Sequence, residues 1–265
     1  MTSLFLDSPP IGDDVVRSFL LAFSFLTIIP LYGNRVAGEK EMADSLYSYP
    51  LVGFIIGGFL ALLAWFSNLL ALGLAGDALI IVCWIIITGG LHLDGLMDSA
   101  DGLFSGRDRD RKLEIMKDSR VGAMGGIALV SVLLLKFAFL ASLPYQYKLW
   151  ALLIAPAAGR CFMVYTVLLF PYARSGPGLG KCFGNNVGKT KILGATLVLL
   201  IGAILTARIT GLVLVLITAV PVTMAVLWID RSLEGLTGDT YGAACEITET
   251  LLLMVTVIGI AIYSL

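Results

Sequence analysis

Residues 89–104 read GGLHLDGLMDSADGLF and directly follow the apolar run AGDALIIVCWIIIT at residues 75–88. Three aspartates, Asp94, Asp98 and Asp101, therefore follow a hydrophobic segment at close spacing. The uncharged stretch before Asp94 is shorter than the roughly 20 residues that a bilayer-spanning helix needs. We therefore expect this helix to continue into the motif and to place Asp94 at the membrane boundary.

The composition of the chain is that of a membrane protein. Hydrophobic residues make up 58% of the 265 residues and charged residues only 14%, whereas a typical soluble domain is roughly 25% charged. The net charge of -1 carries no information about a nucleic-acid partner, and no Lys/Arg block in the sequence suggests one. The four cysteines include no CxxC pair, so neither a disulfide framework nor a zinc site is expected.

The apolar segments predict an all-α, polytopic helical membrane protein with about seven to eight transmembrane helices. The N-terminus lacks the pattern of a signal peptide, so the first apolar segment is taken as a retained span. We interpret residues 1–265 as a single integral membrane domain. A tight hairpin, broken near Arg208 and Gly211, is expected between the sixth and seventh spans. The candidate spans are 15–32, 50–72, 77–93, 122–143, 149–170, 191–207, 211–228 and 249–264.

The basic residues are distributed unevenly between the connections of these spans. Most of the 18 Lys and Arg residues fall in alternate connections, at 33–49, 94–121, 171–191 and 229–248. By the positive-inside rule this side is cytoplasmic. The pattern therefore predicts a multi-pass protein of the cell (inner) membrane, with an acidic site at its cytoplasmic edge.

The spacing of the three aspartates suggests a cation site. Positions 94, 98 and 101 share one narrow stripe of a helix. Like charges at this spacing destabilise a helix, and a divalent cation removes their repulsion. Carboxylate oxygens favour Mg²⁺, Mn²⁺ or Ca²⁺. The alternative is a solvated helix end whose acids act as caps or pair with the arginines that follow.

The next segment, SGRDRDRKLEIMKDSRVGAMGG at residues 105–126, alternates basic and acidic side chains. Its few apolar residues are compatible with a helix lying on the membrane surface. Asp118 is a candidate fourth acid, and Arg107 and Arg120 are candidates for binding phosphate oxygens. A solvated face is the alternative.

Two further polar segments lie on the same side. The glycine-rich stretch PYARSGPGLGKCFGNNVGK at 171–189 carries Arg174 and Lys181 and suits phosphate contact as well as a plain loop. The segment RSLEGLTGDTYGAACEITE at 231–249 places Asp239 on one helical face with two glutamates. This second acidic stripe could complete a site for one or two metals on a diphosphate, or its acids could simply favour a helix N-terminus.

Two ionisable residues lie in or beside the spans. Arg160 falls inside the fifth span, where a charged residue is a functional candidate by default, and an acid of either stripe is its expected partner. His92 is the single histidine of the chain. It is either a hydrogen-bonded residue at the interface or a ligand of the substrate.

Four stretches resemble the signature of the cobalamin synthase family, the adenosylcobinamide-GDP ribazoletransferases. They are SYPLVG at 48–53, residues 89–125, YARSGPGLG at 172–180 and GLTGDTYGAACEITE at 235–249. The resemblance extends from about residue 17 to about residue 255. One departure is Gly159 before Arg160, where the family pattern has serine.

The resemblance implies an Mg²⁺-dependent membrane enzyme that joins α-ribazole, or its 5′-phosphate, to adenosylcobinamide-GDP and releases GMP. Its partners would be corrinoid and nucleoside substrates and the lipid bilayer, and a homo-oligomer or a complex with other cobalamin-assembly enzymes is left open. The predicted catalytic residues are Asp94, Asp98, Asp101 and Asp118. The predicted metal ligands are Asp94, Asp98, Asp101, Asp239 and Glu246. The predicted substrate-binding residues are His92, Arg107, Arg120, Arg160, Arg174 and Lys181.

Three other protein classes share part of this pattern. CDP-alcohol phosphotransferases have a D-x2-D-G start that Asp98, Asp101 and Gly102 match, but the Ala-Arg and the later Asp pair of that motif are missing. Intramembrane prenyltransferases use D-x3-D, which Asp94 and Asp98 satisfy, without the second aspartate motif. An ion-coupled transporter would hold its acids near mid-bilayer, whereas these acids crowd one membrane edge.

Overall fold

The computed structural model describes residues 11–33, 36–174, 188 and 190–263. Within these residues the chain is α-helical, as predicted, and contains no strand. Their one β-type pairing is an isolated parallel bridge between Tyr172 and Leu236. A 3₁₀ turn at Leu46–Ser48 joins the second and third helices. The helices are α1 Ile11–Leu26, α2 Glu39–Ser45, α3 Tyr49–Leu69, α4 Leu74–Thr88, α5 Leu91–Leu103, α6 Arg109–Ile115, α7 Ala123–Ser142, α8 Tyr145–Leu169, α9 Thr190–Leu233 and α10 Gly238–Tyr263.

The long helices have the length and composition of membrane spans. Five helical segments of the described chain meet both criteria, and the bent pair α4–α5 makes a sixth if it counts as one span. The first helix, with 16 residues, is shorter than these. The protein is therefore a polytopic helical membrane protein, while the count of seven to eight spans stays a prediction.

The long helix α9 folds back on itself. Ala207 and Arg208 leave the helical conformation, and Arg208 has a φ of 53°. A Cβ built on Gly211 would lie 2.2 Å from the carbonyl oxygen of Ala203, although eight residues of a straight helix span about 12 Å. The chain therefore reverses direction here, at the position where the sequence predicts the hairpin.

A sharp bend separates α4 from α5. Gly89 and Gly90 have φ values of 62° and 68°, a left-handed conformation that glycine adopts without a steric penalty. The two helices meet at 88°. The expectation that the third span continues into the aspartate motif is therefore wrong, because these glycines end α4 at Thr88. The motif forms the separate helix α5.

The helix α8 lies at the centre of the molecule. It packs between α3, α9 and α10, and 72% of the residues in its most apolar 18-residue stretch are buried. Two glycines of α3 make this close packing feasible, since a Cβ on Gly53 or Gly57 would lie 2.4–2.5 Å from the backbone of α8. One hydrophobic cluster includes residues from each of the ten helices described above. This packing places Arg160, in the middle of α8, in the protein interior.

The short helix α6 packs against protein instead of lying on the membrane surface. Leu113 of this helix and Met116, the residue that follows it, are buried. Gly102 of α5 leaves room for Met116, whose Cγ would be 2.4 Å from a Cβ at that position. Lys112 also donates a hydrogen bond of 2.8 Å to Ser232 at the end of α9. The alternating charged residues of this segment therefore belong to a helix that packs against α5 and α9.

Candidate active site

Four aspartates and one arginine gather where α5 crosses the start of α10. This aspartate cluster comprises Asp94, Asp98 and Asp101 of α5, Asp239 of α10 and Arg174. The helices touch at Gly95, where a Cβ would lie 2.7 Å from the carbonyl oxygen of Asp239. The predicted second acidic residue, Asp239, is thereby brought beside the predicted aspartate stripe.

The carboxylate of Asp98 lies at the electrostatic centre of the cluster. The negative charges of Asp94, Asp101 and Asp239 all act on it, and the positive charge of Arg174 opposes them. Asp94 is exposed and Asp98 is partly buried. Within the described residues, neither side chain has a hydrogen bond or ion pair. Both carboxylates therefore keep their lone pairs available for a ligand.

The side chain of Asp101 caps the N-terminus of α7. Its two oxygens accept hydrogen bonds of 2.8 Å from the backbone N–H groups of Gly122 and Gly125. The first N–H groups of a helix have no partner within the helix, so a carboxylate here satisfies two of them. Both positions need to be small, because a Cβ on either glycine would lie 2.3–2.4 Å from the carboxylate.

Arg174 is held against Asp239 by the chain that follows α8. Its guanidinium donates a hydrogen bond of 2.6 Å to the carboxylate of Asp239. The Thr237 hydroxyl donates a longer one of 3.2 Å to the same oxygen. The bridge between Tyr172 and Leu236 keeps the two segments together. Arg174 thus joins the site as predicted, whereas the predicted Lys181 lies outside the described residues.

The remaining charged candidates lie in the turns around α6. Asp118 forms an ion pair of 2.6 Å with Arg120, and this hydrogen-bonded partner lowers the pKa of Asp118 to about 2. A carboxyl group with such a pKa is ionised at neutral pH and is a weak proton acceptor. Arg107 is exposed just after α5. These residues flank the aspartate cluster without an observed contact to its carboxylates.

A second group of charges is buried deep between the helices. This buried ionic cluster comprises His92 of α5, Lys136 of α7, Arg160 of α8, and Glu246 and Glu249 of α10. The ammonium of Lys136 donates to Glu246 at 2.6 Å and to Glu249 at 2.5 Å. Arg160 forms an ion pair with the other oxygen of Glu249. Two cations thus balance two anions, which is how charged side chains are tolerated inside a membrane protein.

His92 joins the buried ionic cluster through one ring nitrogen. Its Nδ1 lies 3.3 Å from a guanidinium nitrogen of Arg160. Arginine can only donate, so Nδ1 is the acceptor and the proton of the neutral ring is on Nε2. Nε2 is buried without a partner among the described residues. The hydrogen bond to Arg160 does not test whether His92 contacts substrate, so that role stays a prediction.

The structure separates Glu246 from the predicted partner Asp239. Glu246 and Glu249 follow Asp239 by seven and ten residues on α10, so they lie about 10 and 15 Å further along the helix axis. Glu246 pairs there with Lys136. Its assignment as a metal ligand stays a prediction. The expected acid partner of Arg160 is found in Glu249.

Lys136 is the residue of this cluster that the sequence analysis missed. It lies in the middle of an apolar helix, 4.4 Å from the ring centroid of Trp84. An ionisable residue within a span needs a partner of opposite charge, and the two glutamates one turn apart on α10 are that partner.

The packing of α8 against α10 explains why position 159 is glycine. A Cβ there would lie 2.8 Å from the sulfur of Cys245.

The donor set of the aspartate cluster suits magnesium. No group of three or more His, Cys, Asp or Glu side chains in the described part of the chain is arranged to hold a metal ion. Magnesium is commonly bound by one or two carboxylates together with substrate phosphates and water. Asp94 and Asp98, which are one helical turn apart and have no partner in the described part of the chain, fit that pattern.

The family model described as cobalamin-5-phosphate synthase matches residues 18–257. The chain belongs to the cobalamin-5-phosphate synthase family. This confirms the resemblance that the four sequence motifs suggest. The match includes α5, α7, α8 and nearly all of α10, so every described residue of the aspartate cluster and of the buried ionic cluster lies within it.

Relatives of this family from several bacteria share much of the sequence. The adenosylcobinamide-GDP ribazoletransferase of Desulforamulus reducens is 50% identical over 91% of this chain and 96% of its own. The proteins of the same name from Herpetosiphon aurantiacus and Pseudomonas fluorescens are 43% and 37% identical, over 91% and 92% of this chain and 96% and 99% of their own. No solved structure matches the chain.

Proposed function

We propose that the protein is an Mg²⁺-dependent adenosylcobinamide-GDP ribazoletransferase that joins α-ribazole, or its 5′-phosphate, to adenosylcobinamide-GDP and releases GMP. The observation that carries this proposal is the pair of carboxylates Asp94 and Asp98, which have no hydrogen bond or ion pair within the described residues and lie in one cluster with Arg174. Relatives with that enzyme name support the substrate assignment.

The reaction needs neutralisation of phosphate charge and does not require a covalent intermediate with the enzyme. The hydroxyl of α-ribazole attacks the phosphorus on the cobinamide side, and the bond to GMP breaks. Asp94 and Asp98 would hold Mg²⁺, which neutralises charge on the diphosphate when it is bound. Arg174, Arg107 and Arg120 lie in or beside the cluster and suit the phosphate oxygens.

The proton of the attacking hydroxyl needs an acceptor within the same cluster. A carboxylate whose pKa lies close to neutral serves best as a general base. Asp118, with a pKa of about 2, suits this task poorly. We assign Asp118 the role of fixing Arg120, which leaves one of Asp94, Asp98 and Asp101 as the proton acceptor.

We further propose that the aspartate cluster faces the cytoplasm. The basic residues of α6 and its flanking turns lie next to α5, on the side of the protein where positive charge is concentrated. Nucleotide substrates reach the site from that side. Association into a homo-oligomer, or with other cobalamin-assembly enzymes, stays a prediction.

The test is GMP release by the purified protein in detergent, with adenosylcobinamide-GDP and, in separate assays, α-ribazole or α-ribazole 5′-phosphate. We expect release to require Mg²⁺, to stop with a chelator, and to match the amount of new corrinoid product. Release that is unaffected by chelator would overturn the metal assignment. Folded protein that makes no product from either nucleoside substrate would overturn the enzyme assignment.

A further inference from the structure

The membrane face opposite the aspartate cluster contains a polar cavity of about 480 Å³. It lies between two helical hairpins, α3–α4 and α7–α8, and is lined by residues at the ends of all four helices. Lys148 precedes Arg160 by twelve residues on α8, so the cavity lies about 18 Å from the buried ionic cluster along that helix. This cavity is independent of the aspartate cluster.

An ion pair forms part of the cavity wall. The ammonium of Lys148 lies 2.5 Å from the carboxylate of Asp77, and their side chains are only 15% and 6% exposed. Lysine has three N–H donors and this contact uses one of them. The second oxygen of Asp77 is likewise not used by the pair. The cavity therefore offers donors for an anionic group and an acceptor for a cationic group, close together.

Other polar groups of the wall are also available. Asn68 and Tyr145 line the cavity, and within the described residues their side chains make no hydrogen bond. The wall carries one positive and one negative side chain, and two helix N-termini balance two helix C-termini. A neutral site with both polarities matches a zwitterion better than a simple anion.

The surroundings of the cavity are apolar and contain aromatic rings. Leu69, Leu70 and Leu74 are each 65% exposed, and Trp65 is 48% exposed. Trp and Tyr near the end of a span mark the level of the lipid headgroups, and exposed leucines beside them suit the adjoining acyl chains. A molecule in this cavity can thus place its polar part on Lys148 and Asp77 while its chains follow the apolar surface.

We propose that this cavity binds a phosphate-plus-ammonium headgroup, that of a phospholipid such as phosphatidylethanolamine. Lys148 and Tyr145 donate hydrogen bonds to the phosphate, while Asp77 and the Asn68 carbonyl accept them from the ammonium. A choline headgroup has the same charge but no N–H to donate, so it binds more weakly. A glycerol headgroup leaves Asp77 facing an uncompensated anion and is disfavoured.

The test measures thermal unfolding of the full chain in detergent with dihexanoyl lipids of different headgroups. We expect phosphatidylethanolamine at tenfold excess over its Kd to raise Tm by about 3 °C. Phosphatidylcholine should raise it less, and phosphatidylglycerol should not. Equal shifts for all three lipids would overturn the proposal. An equal shift with soluble phosphoethanolamine would keep the headgroup chemistry and overturn its assignment to a lipid.

Matched variants separate binding in the cavity from general lipid effects. Ala141 lines the cavity, whereas Ala138, one turn earlier on α7, is exposed outside it. Ala141→Leu fills the cavity and should abolish the Tm shift, measured from its own lipid-free Tm, and Ala138→Leu should keep it. The double variant Asp77→Asn/Lys148→Met, which leaves no unpaired charge, should also lose the shift. Shifts that persist in both cavity variants would overturn the proposal.

The two proposals can fail separately. Neither Ala141 nor Ala138 belongs to the aspartate cluster, so both leucine variants should retain Mg²⁺-dependent GMP release. Loss of the lipid response with GMP release retained supports the headgroup site. A lipid response in a protein without transferase activity would leave the headgroup site standing and remove only the proposed function.

Discussion

Asp94 and Asp98 differ from their neighbours because their carboxylates have no protein partner within the described residues. Replacing either with asparagine removes a negative charge that makes no ion pair or hydrogen bond within the described residues. We expect Asp94→Asn and Asp98→Asn to lower kcat by about 10²–10³-fold, while Tm changes little. Steady-state GMP release and thermal unfolding of the same preparations measure the two effects.

The matched control is Asp14→Asn, since Asp14 is an exposed carboxylate of α1. Its kcat should equal that of the wild type. Wild-type turnover in both α5 variants would remove Asp94 and Asp98 from the proposed metal site. A parallel loss of kcat and stability would show that the two carboxylates support the fold instead.

At the level of helices, the site depends on how closely α5 approaches α10. A Cβ on Gly95 would lie 2.7 Å from the carbonyl oxygen of Asp239, a backbone atom that cannot move without its helix. Gly95→Ala should therefore displace Asp239 relative to Asp94 and Asp98. We expect at least a 10-fold loss of kcat, because misplacement by about 1 Å costs up to 100-fold, together with a lower Tm.

Gly126→Ala is the control for this substitution. Gly126 also lies in a helix, α7, but a Cβ there meets no atom within 4 Å. Alanine should leave kcat unchanged and should raise stability by up to about 1 kcal/mol through helix propensity. Equal behaviour of the two alanine variants would contradict the close approach of α5 and α10.

The helices themselves were largely predictable from the sequence, and their angles were not. Apolar length predicts α3, α7, α8 and the hairpin within α9, since each follows from the number of residues that cross a bilayer. The bend between α4 and α5 depends on two adjacent glycines adopting left-handed φ values. Glycine permits that conformation without requiring it, so the length argument favoured a continuous helix.

The same limit applies to the candidate site. Spacing on one helix correctly placed three aspartates together, because helical geometry fixes neighbours within a helix. It also placed Asp239 and Glu246 on one face, and they do share α10. Which other part of the chain faces each of them depends on tertiary packing: the segment after α8 brings Arg174 to Asp239, whereas α7 brings Lys136 to Glu246.

For the whole molecule, the buried ionic cluster links four helices through a balanced set of charges. Lys136→Met leaves Glu246 and Glu249 with a single cation, Arg160, in the protein interior. Breaking a buried ion pair by removing one partner typically costs about 3–5 kcal/mol. We expect a loss of that order in the free energy of unfolding, measured by denaturant titration in detergent.

Restoring the balance of charge is the control for this substitution. The double variant Lys136→Met/Glu246→Gln again has one cation and one anion, so it should be more stable than Lys136→Met alone. That result would show coupling between α7 and α10 through the ion pair. A double variant whose loss equals the sum of the two single losses would contradict such coupling.

The asymmetry of charge across the whole molecule predicts its orientation in the membrane. The turns around α5 and α6 are rich in Lys and Arg, whereas the opposite ends of α7 and α8 have little besides Lys148. Basic residues near span ends are retained in the cytoplasm. We therefore expect a membrane-impermeant thiol reagent to label an Asp110→Cys variant only in inverted vesicles, and a Ser142→Cys variant only in spheroplasts.

Asp110 and Ser142 suit this experiment because both are exposed and lie at opposite ends of the protein. Labelling of the wild type gives the background from its four native cysteines. The reverse labelling pattern would place the aspartate cluster outside the cytoplasm, where a nucleotide-linked substrate would have to cross the membrane first. Since the geometry of the site is the same in either orientation, this result would overturn the proposed route of the substrates and leave the chemistry of the cluster intact.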